Sequence, residues 1–218
     1  MGRVPWRRVV VRDAAERHLV VRLSMVVAGL TLNGVAITML IRAELGLGPW
    51  DVLHQGLAAR TGLGFGLVVI LVGVAALLPW WPLRERPGVG TVLNVFVAGI
   101  VIDRLLTVTG PATQWWSRGA LMTGGVALFA LGQGMYLAPR LGAGPREGLM
   151  TGINRRFGIS IRLARFQIEV AILALGIALG GSAGLGTIVF TLAIGPLVQA
   201  GMRLCGYRDR TAPEAAGA

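Results

Sequence analysis

The chain alternates long apolar runs with short polar connections. Runs with few or no charged residues cover residues 23–41, 65–83, 89–108, 121–139, 163–179 and 185–204. Each is close to the roughly 20 residues that a helix needs to cross a hydrocarbon core of ~30 Å. Because the bilayer core offers no water to backbone N–H and C=O groups, such runs must be helical. The pattern predicts an all-α polytopic membrane protein with about six transmembrane helices.

The chain also matches itself when it is shifted by 96 positions. The segment LGLGPWD at 45–51 aligns with LGAGPRE at 141–147, and the match continues without a gap. Roughly three in ten positions between residues 46 and 99 are identical to their partners, and half of these are Gly and Pro residues that fix backbone shape. Since apolar composition alone would not reproduce this spacing, the sequence predicts an internal duplication.

The duplication divides the chain into an arm, two repeats and a tail. We expect a basic N-terminal arm over residues 1–21, repeat 1 over 22–108, repeat 2 over 118–204 and a tail over 205–218. Each repeat contains three of the long runs, so repeat 2 must enter the bilayer from the side opposite to repeat 1. The prediction is therefore a pair of inverted three-helix repeats, as in many secondary transporters.

Two shorter segments, 49–60 and 145–156, follow the repeated Gly-x-Gly-Pro motif. They are helical by pattern, but they are too short and too polar to cross the hydrocarbon core. We expect two half-helices that are either re-entrant or lie at the membrane interface. If they crossed the membrane instead, each half would have four spans and the repeats would be parallel.

Arginine placement orients the predicted spans. The sequence is 54% apolar and 14% charged, and all 21 of its basic residues are arginine. These arginines lie between the apolar runs, so the net charge of +11 does not indicate a nucleic-acid partner. They cluster before the first run and after the second, fourth and sixth runs. By the positive-inside rule, both termini are predicted to be cytoplasmic in a bacterial inner membrane.

In both halves the motif is suited to starting a helix. Gly48 and Gly144 allow a sharp turn, and Pro49 and Pro145 fit the first helical position, where a missing N–H costs nothing. The free N–H groups and the positive dipole end of each helix then point outward. Two such helix starts predict a pseudo-symmetric site near the midplane for a polar or anionic small molecule.

Charged residues near these helix starts and in the fifth run are further candidates. Asp51 and Glu147 come two positions after the prolines, where each either joins the site or only stabilises its own helix start. Arg162, Arg165 and Glu169 lie at the start of the fifth run, where charge is costly, and they are therefore candidates for a functional role. Arg165 and Glu169 are four residues apart and can pair on one helical face.

A structural interpretation of the fifth run competes with the functional one. The two arginines can extend to the lipid headgroups, with the glutamate as their structural partner. Asn94 in the third run and Gln133 in the fourth are weaker candidates, because a lone amide within a span more often joins helices than binds substrate.

Enzyme chemistry has no support in the sequence. His18 and His54 are the only histidines and Cys205 is the only cysteine, so no metal constellation exists, and no phosphate-binding loop or Ser/His catalytic motif is present. We predict no enzymatic activity and no cofactor. The lipid bilayer and an unidentified small molecule are the predicted partners, and the function predicted first is a small-molecule transporter or exporter.

The alternative is a non-transporting scaffold, a regulator or a substrate-capture subunit that works with a partner protein. The oligomeric state stays open, with a homodimer as one alternative.

The residues around the motif carry a family resemblance. LGLGPWDVLHQGL at 45–57, with the later segments TGLGFG, PLRERPGVGTVLN and LGAGPREGLM, resembles the YczE-type branch of the YitT-related bacterial integral membrane proteins. The resemblance covers nearly the whole chain. It implies an integral membrane protein of about six spans, in a family associated with transport or with secondary-metabolite production, and it assigns no site residue. The second motif has Arg146 and Gly148 where the first has Trp50 and Val52, so the two half-sites need not bind alike.

Overall fold

The computed structural model describes residues 13–207, and in this part of the chain every regular element is helical. A short 3-10 turn at Ala14–Glu16 precedes the α-helices. The α-helices are α1 (Leu19–Ala43), α2 (Pro49–Thr61), α3 (Phe65–Leu77), α4 (Trp80–Leu83), α5 (Val89–Val108), α6 (Trp115–Leu137), α7 (Pro145–Phe157), α8 (Ile161–Ala178) and α9 (Leu185–Leu204). The predicted all-α class is confirmed for the described residues, whereas most of the predicted basic arm and the end of the tail lie outside them.

Five helical segments in the described range are long and apolar enough to cross a membrane: α1, α3 continued by α4, α5, α6 and α9. The sixth predicted span corresponds to α8, which has 18 residues. It carries Arg162, Arg165 and Glu169, and these charges set it apart from the five. A crossing by α8 therefore stays a prediction.

Several helix boundaries differ from the apolar runs. Helix α1 begins at Leu19 rather than residue 23, and α6 begins at Trp115 rather than residue 121. Arginine stems and tryptophan rings favour the headgroup level, so the helices continue beyond the apolar core. The predicted span 65–83 is divided into α3 and α4 at Pro79, because proline has no N–H to continue the ladder.

The duplication is visible in the helix boundaries. Helices α2 and α7 begin and end at positions 96 apart, and so do α5 and α9. Both half-helices start at proline after a glycine N-cap. Both end at a glycine in the left-handed region, Gly62 with φ 72° and Gly158 with φ 69°. The shared Gly and Pro residues therefore set the same local structure in both halves.

Helices α1 and α6, which are equivalent in the two repeats, pack against each other in opposite directions. At one end, Arg22 Nη2 donates to Pro139 O at 2.8 Å. At the other end, Arg118 Nη2 donates to Glu44 Oε2 at 2.9 Å. Between these ends the backbones approach closely at Gly29, where any side chain would overlap the facing helix. The equivalent helices of the two halves are thus antiparallel.

The glycine-rich turn of each half packs on a helix of the other half. Gly186 N, in the first turn of α9, donates to Leu45 O at 2.7 Å. Gly90 N, in the first turn of α5, donates to Leu141 O at 2.9 Å. Each bond is the other one shifted by 96 positions with the partners exchanged, so the two halves are interlocked rather than placed side by side.

The turn before each half-helix and the C-terminal end of that half-helix lie at the same end of the bundle. The turn before α2 contacts the first turn of α9 through Leu45, and near the end of α2 Arg60 Nε donates to Leu179 O, in the connection that leads into α9, at 3.3 Å. The turn before α7 contacts the first turn of α5 through Leu141, and near the end of α7 Arg155 Nη2 donates to Leu83 O at 3.0 Å. Neither half-helix therefore runs from one end of the bundle to the other.

Candidate functional site

A cavity of about 300 Å³ lies at the N-terminal ends of α2 and α7. Several helices from both repeats contribute to its wall. Its polar lining consists of Asn33, Trp50, Asp51, Asn94, Gln133, Arg146, Glu147, Arg165, Glu169 and Gln199. Its apolar lining consists of Ile37, Val69, Ala98, Phe129, Leu137, Met150, Phe190, Ile194 and Val198.

Most of the residues that the sequence singled out line this one cavity. They are Gly48, Pro49, Asp51, Asn94, Glu147, Arg165 and Glu169. Three others do not line it. Gly144 is buried next to the Glu147 side chain, Pro145 lines a neighbouring cavity of about 30 Å³, and Arg162 is exposed near the start of α8.

The lining contains equivalent positions from the two repeats. Trp50 and Arg146 are 96 positions apart, and so are Asp51 and Glu147. The Arg146 guanidinium carbon lies 4.8 Å from the centre of the Trp50 ring, so these two equivalent side chains stack on each other. The starts of α2 and α7 therefore meet at the cavity, and the divergence between the two motifs creates the contact.

Asp51 connects the start of α2 to α7. Its Oδ1 lies 3.2 Å from His54 Nδ1 and 4.0 Å from Arg146 Nη2. Asp51 and His54 are 2% and 1% exposed, and the His54 ring meets the edge of Phe65. A carboxylate removed from water in this way requires such partners. Asp51 therefore does more than stabilise its own helix start.

A chain of side-chain hydrogen bonds leads from α1 to Glu147 on α7. Asn33 Nδ2 donates to Gln133 Oε1 at 2.9 Å, and Gln133 Nε2 donates to Glu147 Oε1 at 3.0 Å. The first of these bonds joins α1 to α6, as expected for amides within spans. The second holds the Glu147 carboxylate at the cavity wall. Gln133 thus has both a helix-joining role and a place in the lining.

On α8, the predicted pairing of Arg165 with Glu169 is confirmed. Arg165 Nε donates to Glu169 Oε1 at 2.8 Å across one helical turn. Both residues line the cavity, and the arginine is also exposed on the outside of the protein. The pair therefore forms a charged wall that faces both the cavity and the surroundings.

The two repeats differ in how their outer helices pack. Helix α3 packs along α5, whereas the equivalent helices α8 and α9 are not packed together. In repeat 1, α3 approaches α5 so closely that any side chain at Gly66 would overlap the backbone at Gly99. In repeat 2, Arg162 is equivalent to Gly66 and Gly195 is equivalent to Gly99. A Cβ atom at Gly195 would have no atom within 4 Å. Where α3 has the glycine that permits close packing, α8 thus has a large charged residue.

The space left between α8 and α9 is part of the cavity. Gly195 and Gln199 of α9 line one side of this gap, and Arg165 of α8 lines the other. Gln199 and Arg165 are also exposed at the protein surface. Residues that are exposed at the surface on both α8 and α9 therefore also line the cavity.

The sequence of these helices matches a known protein family. The model of the Family of unknown function (DUF6198) matches residues 20–203, which include nearly all of the described helices. The chain belongs to this family. An uncharacterized protein of Haemophilus influenzae is 38% identical over 177 residues, which are 81% of this chain and 81% of that protein.

Two proteins of Bacillus subtilis are also similar. The uncharacterized membrane protein YczE is 30% identical over 187 residues, which are 84% of this chain and 86% of that protein. The uncharacterized protein YyaS is 28% identical over 174 residues, which are 78% of this chain and 86% of that protein. No solved structure matches this chain.

Family membership and the long apolar helices together make the chain a membrane protein. The predicted similarity to YczE is confirmed, while the wider relation to YitT proteins stays a prediction.

Sequence reasoning did not select several lining residues. In the sequence, Trp50 and Arg146 stand out only as a difference between the two motifs, and that difference is the one signal for their contact. Asn33 and Gln199 have no comparable signal, because each is a single amide in an otherwise ordinary apolar run. His54 was considered only as a metal ligand, although its position three residues after Asp51 places both on one helical face.

Proposed function

We propose that this protein is a small-molecule transporter or exporter of the bacterial inner membrane and not an enzyme. The observation that carries the proposal is that the starts of two equivalent half-helices meet at one cavity, which side chains from both repeats line. In secondary transporters, interrupted helices of this kind form the binding site at the interface between the repeats. The cavity is lined by both polar and apolar residues, as is usual for sites that bind small organic molecules.

The proposal includes six spans in two inverted repeats. Its support is the antiparallel packing of α1 and α6, since equivalent helices run in opposite directions only when each repeat contains an odd number of crossings. The half-helices α2 and α7 would then be re-entrant, because the turn before each one and its C-terminal end lie at the same end of the bundle.

Both termini would lie on the cytoplasmic side. Ala14 N donates to Gly206 O at 3.0 Å, so the described segments near the two termini share one end of the bundle. Repeat 2 contributes Arg140, Arg155 and Arg156 near this end, and the positive-inside rule places such an arginine-rich end in the cytoplasm.

In this mechanism the substrate passes between α8 and α9 to reach the cavity. The starts of α2 and α7 hold its polar group, while the apolar walls hold the rest. Transport then requires a second conformation in which this gap closes and the site opens to the other side of the membrane.

The test is a ligand screen followed by a flux measurement. Purified protein is heated with individual metabolites, and a substrate at 100 times its Kd should stabilise the folded state by about 2.7 kcal/mol. Proteoliposomes should then accumulate that compound. Trp50→Ala and Arg146→Ala should abolish both responses, whereas Glu44→Gln, far from the cavity at the α1–α6 contact, should leave both unchanged.

A different result would favour the scaffold or substrate-capture alternative. If no compound stabilises the protein, proteoliposomes move nothing and a second protein co-purifies in stoichiometric amounts, the transport proposal is wrong.

A further inference from the structure

We infer that the ligand of this cavity is a small amphipathic organic cation and that Glu147 binds its positively charged group. The inference rests on the proposed function for the role of the ligand as a transported substrate. Its chemical class follows from the charges and the shape of the cavity, independently of transport.

The first support is the charge balance of the lining. Three carboxylates line the cavity, those of Asp51, Glu147 and Glu169, but only two guanidinium groups do, those of Arg146 and Arg165. Glu169 pairs with Arg165 at 2.8 Å, and Asp51 lies 4.0 Å from Arg146. One carboxylate, that of Glu147, is left over.

Glu147 has no cationic partner within residues 13–207. No arginine or histidine in that range has a side-chain nitrogen within 4.0 Å of its carboxylate. Its neighbour in sequence, Arg146, is stacked over the Trp50 ring instead. A carboxylate without a cationic partner inside a membrane protein is costly, and a bound cation would supply the charge that Gln133 and the start of α7 only partly offset.

The surrounding hydrogen bonds position this carboxylate rather than neutralise it. Gln133 uses its oxygen to accept from Asn33, which turns its Nε2 toward Glu147 Oε1 at 3.0 Å. Asn33 is only 4% exposed, so the chain of bonds is anchored between α1 and α6. Amide groups carry no charge, and the negative charge of Glu147 remains available to a ligand.

The apolar part of the lining indicates that the ligand also has an apolar part. The Phe129 and Phe190 rings meet edge to face with their centres 5.4 Å apart, and Ile194 and Val198 extend this wall along α9. Aromatic ring faces are electron-rich, so they attract an organic cation and repel an anion. The cavity thus joins one fixed negative charge to an apolar, aromatic surface.

The two helix starts do not reverse this preference. Each has an acid in its first turn, Asp51 in α2 and Glu147 in α7, which offsets the positive end of its dipole. An anion placed there would also meet the excess negative charge of the lining. We therefore expect charge selection for a cation, in contrast to the polar or anionic ligand that the motif alone suggests.

Two small probes of similar size and opposite charge test the inference. Phenyltrimethylammonium and benzenesulfonate are titrated separately into the purified full-length protein in a neutral detergent, and binding is measured by calorimetry. The cation should bind, and the anion should bind at least about tenfold more weakly. Glu147→Gln should weaken cation binding by about tenfold or more, and Glu147→Asp, which keeps the charge, should restore part of it.

The control is Glu44→Gln, which removes a carboxylate at the Arg118 contact outside the cavity and should not change binding. Size-exclusion elution and thermal unfolding of each variant show whether it is folded. Equal binding of both probes, stronger binding of the anion, no binding of the cation at millimolar concentration, or unchanged affinity in a folded Glu147→Gln variant would each overturn the inference.

These experiments distinguish a failure of the proposed transport function from a failure of the inference about the ligand. If phenyltrimethylammonium binds through Glu147 but proteoliposomes move no organic cation, the site is assigned correctly and the transport function is wrong. If a transported anion is found instead, the transport function holds and the inference about Glu147 is wrong.

Discussion

At the scale of single residues, the start of α2 is the most constrained part of the site. Asp51 and His54 are almost fully buried against each other, and Arg146 reaches them from the other repeat across the Trp50 ring. The motif leaves open whether this acid joins the site or only stabilises its own helix start. The tertiary structure makes that acid a link between the two halves.

The Asp51→Ala variant should be strongly destabilised. Removing one partner from a buried ionic contact leaves the others without compensation, at a cost of about 3 kcal/mol in the free energy of unfolding. The matched control is Glu44→Ala, because Glu44 and Arg118 form an exposed pair with side chains that are 49% and 35% exposed. That change should cost no more than about 1 kcal/mol.

Unfolding of both variants is measured in one detergent. Equal losses would show that Asp51 acts only as a helix cap.

At the scale of elements, one difference between the repeats shapes the cavity. Helix α3 carries Gly66 and Gly73 where α8 carries Arg162 and Glu169, and only α3 packs on its neighbour. Hydropathy alone shows merely that α8 is less apolar than α3. The consequence for packing depends on which residues face the neighbouring helix, and the contacts provide that information.

Alanine substitution at the two equivalent glycines of α5 and α9 should have different effects on stability. A methyl group at Gly99 would contact Gly66 O at 2.6 Å and Ile70 at 2.7 Å, so Gly99→Ala should destabilise by about 1–3 kcal/mol. Gly195 has no atom within 4 Å of that position, so Gly195→Ala should change stability by no more than about 0.5 kcal/mol. Thermal unfolding of the pair measures the difference, and comparable losses would mean that α8 and α9 are packed together in the membrane.

A larger side chain at Gly195 should block the site without unfolding the protein. Gly195→Leu places an isobutyl group in the gap between α8 and α9, where the structure has open space. We expect an unchanged melting temperature and a loss of phenyltrimethylammonium affinity of about tenfold or more. Full binding in this variant would mean that the ligand does not occupy the gap.

At the scale of the whole molecule, the two half-helices lie at opposite ends of the bundle. Thr61 follows Arg60, which contacts the α8–α9 connection, and Phe157 follows residues that contact the end of α4. The arginines near Phe157 outnumber those near Thr61, which predicts the cytoplasmic side for Phe157.

Cysteine labelling in intact cells tests this orientation. In a Cys205→Ser background, a cysteine at Thr61 should react with an impermeant maleimide from the outside, and a cysteine at Phe157 should react only after the membrane is opened. The native thiol must be removed for a clean result, although partial burial raises the pKa of Cys205 and slows its reaction. Labelling of both positions from the same side would exclude the inverted repeat.

The sequence by itself determined the features that depend on local chemistry and composition. Apolar runs of membrane-spanning length specify helices in a bilayer, because no other open-chain structure satisfies the backbone there. The Gly-Pro starts and Gly ends specify the bounds of α2 and α7 to within one residue of those observed, because turn conformations depend on the residues that adopt them. Arg165 and Glu169 pair as predicted because they are four apart on one helix.

Only the tertiary structure decided which distant residues share the cavity. The bond between Asn33 and Gln133 and the stacking of Arg146 on Trp50 each join residues about a hundred positions apart. No local pattern marks such pairs. In a membrane protein the lipid-facing and helix-facing sides of a span are both apolar, so the periodicity that marks the buried face of a soluble helix is weak. The glycines and polar residues on each helix therefore acquire their roles only when the neighbouring helix is in place.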